Sequence, residues 1–451
     1  MGIATGLGFA SHGRTVFAYD VNPKIRDAVR RGRSPYREEG LSPLLARETR
    51  RHRFTVVDTV EQLVESADCI FLCVPTPSSK EGGVDLGPLL RAVRALGVAA
   101  RSVSGYRLLV VKSTVVPGTT VEVLDPTLRR ASGRGARALG LAVNPEFLSE
   151  GQMVRDALRP SRIVIGTTDA RSRRVLRGAY AGFTAPVIEL MPSDAELVKH
   201  ASNAFLALKV SYANELSRWT ERLGGNVDEV ARAVGADPRI GPAFLRAGPG
   251  FGGSCFEKDL RAFRHRGGEL GLPVRSAEAA LAINEDQTRH AFELIRDAAG
   301  ALRGRSVAIL GVAFKAGTDD VRESRAFPIA ERLIAAGANV RLHDPAALPN
   351  FQREWRRRTG SVPRQLKFCP TVADTLRGAD LAVLQADWPE YVNWSPRWTQ
   401  AMRTPLLVDL RRAIGPSRAA RAQLRVVRLG VAAPPAERVR GPRSRPIRRG
   451  P

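Results

Sequence analysis

Cysteine is scarce in this chain, and so are lysine and long apolar runs. The 451 residues include four cysteines, Cys69, Cys73, Cys255 and Cys369. Their spacing fits neither a zinc site nor a disulfide framework, so no metal is expected and a reducing, cytoplasmic setting is. Cys69 and Cys73 flank a strand-like run and read as small buried hydrophobes. No stretch of about 18 uncharged apolar residues occurs, which excludes a helical membrane span. The first residues show no charged segment leading into an apolar run and a small-residue cleavage site, so no signal peptide is expected. Lysine contributes only eight of the 70 basic residues, and the formal net charge is +25. Arginine is spread over ordinary helix surfaces, as in residues 171–177. That pattern is a compositional bias and not a binding stripe. No zinc-finger or RNP-like aromatic motif is present, so no specific nucleic-acid partner is expected.

What is present is enough chain for two or three domains, with 43% hydrophobic and 25% charged residues. Short apolar runs alternate with helical patterns over the first 110 or so residues. Residues 14–19, 68–74 and 107–112 read as strands. A long helix is predicted from Asp194, placed as its cap, to about Arg222, with Leu197, Ala201, Ala204, Leu208, Tyr212 and Leu216 at three- and four-residue spacing. This helix is expected to be a spine that also supplies a dimer surface. A second strand–helix series opens at Ser306, with strands at 307–310, 340–342, 381–384 and 406–409. The fold class is therefore α/β: two Rossmann-like parallel-sheet domains joined by a long central helix and a helical middle domain. The expected boundaries are 1–193, 194–299 and 300–430, followed at 431–451 by a basic Ala-, Pro- and Arg-rich tail without core-forming residues.

Asp20 ends an early strand, where a dinucleotide-binding βαβ unit places an acidic residue on the adenosine ribose. The helix before it spans 2–12, with Gly13 at its C-terminus, and Gly2 is the last glycine of the fingerprint. The first strand and first two glycines are not in the chain. A start upstream of Met1 is expected, with a valine initiation codon read as methionine. Mass spectrometry of the natural N-terminus checks this, and a mature chain beginning at Met1 contradicts it.

Residues 248–259 form a Gly-rich loop, with Gly248, Gly250, Gly252 and Gly253, that delivers Cys255 beside Lys258 and Asp259. Glycines permit close backbone approach to a ligand. Lys258 and a following helix N-terminus are expected to favour thiolate over thiol. An inert buried cysteine fits poorly in so polar a loop.

Ordered motifs extend from Gly2 to about Gly430. They include Asp20, 34–41, Val74-Pro75-Thr76-Pro77, Ser113-Thr114-Val115-Val116-Pro117-Gly118 and Asn144-Pro145-Glu146-Phe147-Leu148-Ser149-Glu150-Gly151. They continue through Arg162–Gly166, Glu196, Lys199, Asn203, Asn214-Glu215, Asp237–Gly241, the cysteine loop and 311–324. In these the chain resembles the UDP-glucose/GDP-mannose dehydrogenase family. The resemblance implies NAD-dependent four-electron oxidation of a nucleotide-linked sugar, and its roles carry over position by position. Cys255 attacks the aldehyde of the first oxidation, giving a thiohemiacetal and then a thioester. Lys199 offsets charge on the C6 oxygen with Asn203 as a second donor, the pair facing one way at i and i+4. Asp259 positions or deprotonates water, and Thr114 and Glu150 order that water.

The cofactor-binding positions implied are Gly2, Asp20, Lys24, Pro75, Thr76, Thr114, Glu150, Lys258 and Arg322. The substrate positions implied are Glu146, Phe147, Leu148, Lys199, Asn203, Arg239, Phe251, Gly252, Phe314, Lys315 and Arg411. Arg239 resembles an arginine that crosses a dimer interface, implying a homodimer or higher homo-oligomer. The loop departs from relatives at Phe256-Glu257, and Glu257 is expected to pair with Lys258. UDP-glucose is the substrate implied first, with GDP-mannose or a UDP-N-acetylhexosamine as alternatives. A non-catalytic dimeric scaffold is the alternative of another class.

Overall fold

Each apolar run is closed by a polar or turn residue and returns through a helix, so the chain folds as parallel strands covered on both faces. The computed structural model describes residues 1–79 and 81–432. The expected basic tail lies outside the described residues from 433 onward. The described chain divides into two units: 1–208 with 252–281 and 317–322, and 209–251 with 282–316 and 323–432.

In the first unit, β1 (Val16–Ala18) and β2 (Phe54–Val56) form a parallel pair. A separate five-stranded sheet has the order β3-β4-β5-β6-β7: Cys69–Leu72, Arg107–Val111, Leu139–Val143, Ile163–Thr167 and Val187–Leu190. Only the β5–β6 pairing in it is antiparallel. Alternation along β4 sorts its side chains. Leu108 and Val110 pack with Phe9, Leu176 and Tyr180, while Leu109 and Val111 pack with Leu89, Val93, Leu124 and Leu128. Residues 14–19 and 68–74 thus fall in different sheets. The N-terminal helix Gly2–Ser11 starts hard against the end of β3. A Cβ on Gly2 would lie 3.2 Å from Cys73 Cβ.

The second unit holds a six-stranded parallel sheet, ordered β10-β9-β8-β11-β12-β13. Its strands are β8 (Ser306–Leu310), β9 (Asn339–His343), β10 (Leu366–Phe368), β11 (Leu381–Leu384), β12 (Leu406–Asp409) and β13 (Arg425–Arg428). The chain winds outward from β8 in one direction and from β11 in the other. The sheet therefore has a topological switch point between them, where α/β sheets bind ligands.

The spine helix runs Pro192–Leu223, which corrects one expectation. Asp194 lies inside the first turn and is not its cap. Of the spaced residues, Leu197, Ala201 and Tyr212 are exposed, Leu208 and Leu216 half-buried and Ala204 buried. The covered face is small and polar instead, carrying Ala195, Glu196, Lys199, His200, Asn203, Ala207, Ser211, Asn214 and Ser217. Cys69 and Cys73 are half-buried, not buried.

Candidate active site

A helix shows one face every three to four residues, so the spine helix offers Glu196, Lys199, His200 and Asn203 together. Lys199 Nζ meets Glu146 Oε1 at 2.9 Å, and both side chains are buried. Asn203 Nδ2 donates to Asp259 Oδ2 at 2.7 Å, and Lys258 Nζ donates to Asp259 Oδ1 at 2.6 Å. His200 turns one ring nitrogen to the Val115 carbonyl at 3.0 Å and the other to the Asp259 carbonyl at 3.3 Å. Burial opposes the Lys199 charge, but Glu146, Asp259 and Cys255 together hold its pKa above the ordinary lysine value.

Cys255 occupies the N-cap of the helix Phe256–Glu269, with Ser254 Oγ 3.5 Å from its sulfur. Its side chain is open to solvent while protein crowds the surrounding recess. Dehydration in that recess raises the thiol above its ordinary pKa, with Asp259 and Glu146 adding to it. The hydrogen bond to Ser254 and the Lys199 charge oppose the rise. This corrects the thiolate expectation. Lys258 is committed to Asp259 and does not set the state of the thiol. Glu257 likewise pairs with Arg261 one turn on, at 2.6 Å, and not with Lys258.

Surrounding segments are tied in by single bonds. Thr76 Oγ1 donates to the Thr114 carbonyl at 2.9 Å. Glu146 Oε2 accepts the Leu148 N–H at 2.6 Å, and Phe147 lies under the Arg162 guanidinium at 3.8 Å. Thr318 Oγ1 donates to Glu150 at 2.9 Å. Gly253 N–H donates to the Arg322 carbonyl at 2.9 Å, and the Arg322 guanidinium holds Asp320.

The dinucleotide positions fit a carboxyl-edge site. Asp20 follows β1, Pro75 and Thr76 follow β3, and Thr114 follows β4. The helix opening at Gly2 has no side-chain cap on its first N–H groups, which suits a phosphate. Asp20 Oδ1 accepts the Asn22 N–H at 2.8 Å, and the Lys24 N–H is held by Asn22 at 3.0 Å.

In the second unit the implied nucleotide positions gather at the switch point. Arg411 follows β12 and donates to the Gln385 carbonyl at 2.8 Å and the Phe314 carbonyl at 3.4 Å. Burial lowers its pKa to about 10, with Asp387 opposing the fall. Lys315 Nζ lies 5.5 Å from the Phe314 ring centroid. Phe251 is buried, its N–H and carbonyl clamped by the Asn284 amide at 2.6 and 3.1 Å. The preceding Gly250 has φ +115, and a Cβ there would lie 2.8 Å from Asn284 Oδ1. Gly252 follows in the same loop, at the start of a first-unit segment. Arg239 has its side chain 87% exposed and paired with Asp237.

Sequence reasoning assigned no role to Glu196, His200, Lys112, Asn284 or Asp387. Glu196 stood among the motifs without a task. It accepts the Gly118 and Thr120 N–H groups at 2.7 and 2.9 Å.

Comparison with known proteins agrees along the chain. Residues 1–184 match the NAD binding domain of the UDP-glucose/GDP-mannose dehydrogenase family, 193–286 its central domain and 308–416 its UDP binding domain. UDP-glucose 6-dehydrogenase AglM of Haloferax volcanii is 37% identical over 420 residues, covering 92% of this chain and 95% of that protein. UDP-glucose 6-dehydrogenase TuaD of Bacillus subtilis is 33% identical, covering 91% and 86%. Among solved structures, a UDP-glucose dehydrogenase from Pyrobaculum islandicum superposes with a TM-score of 0.86 at 38% identity, covering 96% of this chain and 95% of that one. The chain belongs to the UDP-glucose/GDP-mannose dehydrogenase family and is an NAD-dependent oxidoreductase acting on a nucleotide sugar.

Proposed function

We propose that this protein oxidises UDP-glucose to UDP-glucuronate in two two-electron steps, holding the intermediate aldehyde on Cys255. The observation that carries the reading is a solvent-open thiol whose electrostatic neighbours are two buried charge clusters, Lys199–Glu146 and Asp259–Asn203–Lys258.

Bound NAD supplies the electron acceptor for each oxidation; Gly2, Asp20, Lys24, Pro75, Thr76, Thr114, Glu150, Lys258 and Arg322 are the residues assigned to hold it. Lys199 steadies negative charge on the C6 oxygen, and Glu146 fixes the ammonium in place. Asn203 adds a second donor. Asp259 receives the hydroxyl proton through a water ordered with Thr114 and Glu150.

The Cys255 sulfur then bonds to the aldehyde carbon, while the thiol proton passes through the same water to the new oxygen, giving a thiohemiacetal. Its oxidation, with NAD as the acceptor, leaves a thioester. The hydroxyl proton leaves through the same water once Asp259 has passed its first proton to solvent, and Asp259 again yields its proton to solvent. Water activated at Asp259 adds to that carbonyl, the C–S bond breaks, and the sulfur leaves with a proton as the regenerated thiol. The thiol starts neutral, so its deprotonation belongs to the addition step.

Phe251, Gly252, Phe314, Lys315 and Arg411 are assigned to the nucleotide, and Glu146, Phe147 and Leu148 to the sugar. The domains are placed at 1–193, 194–299 and 300–430. The exposed stripe Leu197, Phe205, Tyr212, Trp219 and Leu223 on the spine helix supports a homodimer. Arg239, whose side chain is exposed and paired with Asp237, is assigned to the partner's sugar. The protein is placed in the cytoplasm, supplying acidic sugar for surface glycans. Among the described residues no helix is long and apolar enough to cross a membrane.

The test is a panel of UDP-glucose, GDP-mannose and UDP-N-acetylhexosamines given with NAD to the full-length natural protein. UDP-glucose is expected to show the highest kcat/KM. Turnover of GDP-mannose alone contradicts the substrate assignment, and failure to bind NAD favours a scaffold.

A further inference from the structure

Lys112 directly follows β4 and is 6% exposed. Its Nζ donates to Asn144 Oδ1 at 2.7 Å, to the Asn144 carbonyl at 3.4 Å and to Tyr180 Oη at 3.4 Å. Tyr180 in turn donates to Asn144 Oδ1 at 2.5 Å, and Asn144 Nδ2 donates to the Val164 carbonyl at 2.8 Å. The nearby carboxylate, Glu146, is paired with Lys199 instead. Burying an ammonium among neutral oxygens is costly, and packing alone would be served better by an apolar side chain. Three N–H donors meeting three oxygens is ammonium geometry that the flat guanidinium fork does not reproduce. That accounts for a lysine here in a chain where only eight of 70 basic residues are lysine.

The network joins two strand ends that carry site residues. Lys112 is two residues from Thr114, and Asn144 is two residues from Glu146. We propose that Lys112 is a positioning residue for sugar oxidation: it locks the carboxyl ends of β4 and β5 and sets the placement and charge of the Glu146–Lys199 pair. This rests on the role given above to Glu146 and Lys199. Electrostatics agree with the geometry. Burial lowers the Lys112 pKa to about 8; Cys73 and Glu146 resist that shift, and repulsion from Lys199 adds to it. Tyr180 faces Lys112 directly. A cavity of about 270 Å³ adjoins the cluster, bringing Arg155, Asp156, Arg159 and Arg162 to its walls along with Lys112 and Tyr180. Glu146, Phe147 and Leu148 line it as well, whereas Lys199, Cys255 and Asp259 do not.

Lysine labelled with 13C at Cε reads each ammonium directly, and this chain has only eight. One signal is expected to titrate near pH 8 and to vanish in Lys112→Met. The Lys112 midpoint is expected to rise by about half a unit or more in Lys199→Met, because the ammonium that repels it has gone, whereas Lys112→Met reads the coupling through turnover. Its kcat on the nucleotide sugar is expected to fall about tenfold or more with KM changed less than about threefold. The proposal is overturned if no lysine titrates below about pH 9, if Lys199→Met leaves the Lys112 midpoint unmoved, or if Lys112→Met leaves kcat unmoved. Should Lys112→Met fail to fold, Tyr180→Phe removes one acceptor and keeps the charge. The Lys112 midpoint then falls further, and an unmoved midpoint counts against the network. Absence of turnover on every nucleotide sugar defeats the proposed reaction, while the lysine titration still decides the coupling.

Discussion

At Cys255 the thiol stays protonated at neutral pH, because dehydration and the Asp259 and Glu146 carboxylates outweigh Lys199 and Ser254. Alkylation by iodoacetamide is therefore expected to accelerate with pH up to a midpoint above the ordinary cysteine value. A midpoint below neutrality would show a preformed thiolate. Asn203→Ala is expected to leave Asp259 Oδ2 without its donor, costing about 1–3 kcal/mol of stability in urea unfolding. An unchanged midpoint would mean that water replaces the amide without loss. The i, i+4 spacing of Lys199 and Asn203 made their shared face legible, and the Gly-rich loop marked the cysteine. The partners of Lys258 were not legible. Whether a loop ammonium reaches a thiol or the adjacent carboxylate depends on side-chain direction, which spacing leaves open. The Glu257–Arg261 pair shows the same thing: the helix begins at Phe256, so the i+4 neighbour wins over the adjacent one.

At the scale of elements, the spine helix shows how periodicity identifies a face without saying what covers it. Leu197 and Tyr212 repeat at helical spacing and face outward. The covered side carries the small and polar residues that the site requires. Strand ends were legible because Gly, Pro or a polar residue closes each run. The strands β2, β5, β6, β7, β10 and β13 were not singled out.

The helix also supplies a pH-dependent tie. Burial raises the Glu196 pKa from 4.5 to about 7, although Gly118 and Thr120 donate to it. Below the unfolded value both states are protonated and this contribution is complete. Between about 4.5 and 7 only the unfolded state releases its proton, so the contribution declines as pH rises, and above 7 it is gone. Relative to Glu196→Gln, the protein is expected to lose on the order of 3 kcal/mol of unfolding free energy from acid to neutral pH. A parallel pair of urea-stability profiles would contradict this.

For the whole molecule, the +25 charge is carried by a chain whose three segments match the UDP-glucose/GDP-mannose dehydrogenase family. The two sheet systems were readable from strand–helix rhythm. The separation of β1–β2 from β3–β7 was not readable from any one strand, since pairing depends on which neighbours are present. The exposed Phe205 and Trp219 bear on assembly. Phe205→Glu with Trp219→Glu is expected to shift light-scattering mass from dimer to monomer, and a wild-type protein that is already monomeric would remove the dimer reading. The central claim, that one thiol retains the aldehyde between two oxidations, is tested most directly by counting product. Limiting UDP-glucose with excess NAD should yield about two NADH per sugar with no free aldehyde trapped, as covalent retention requires. About one NADH per sugar, with aldehyde captured in solution, would contradict it.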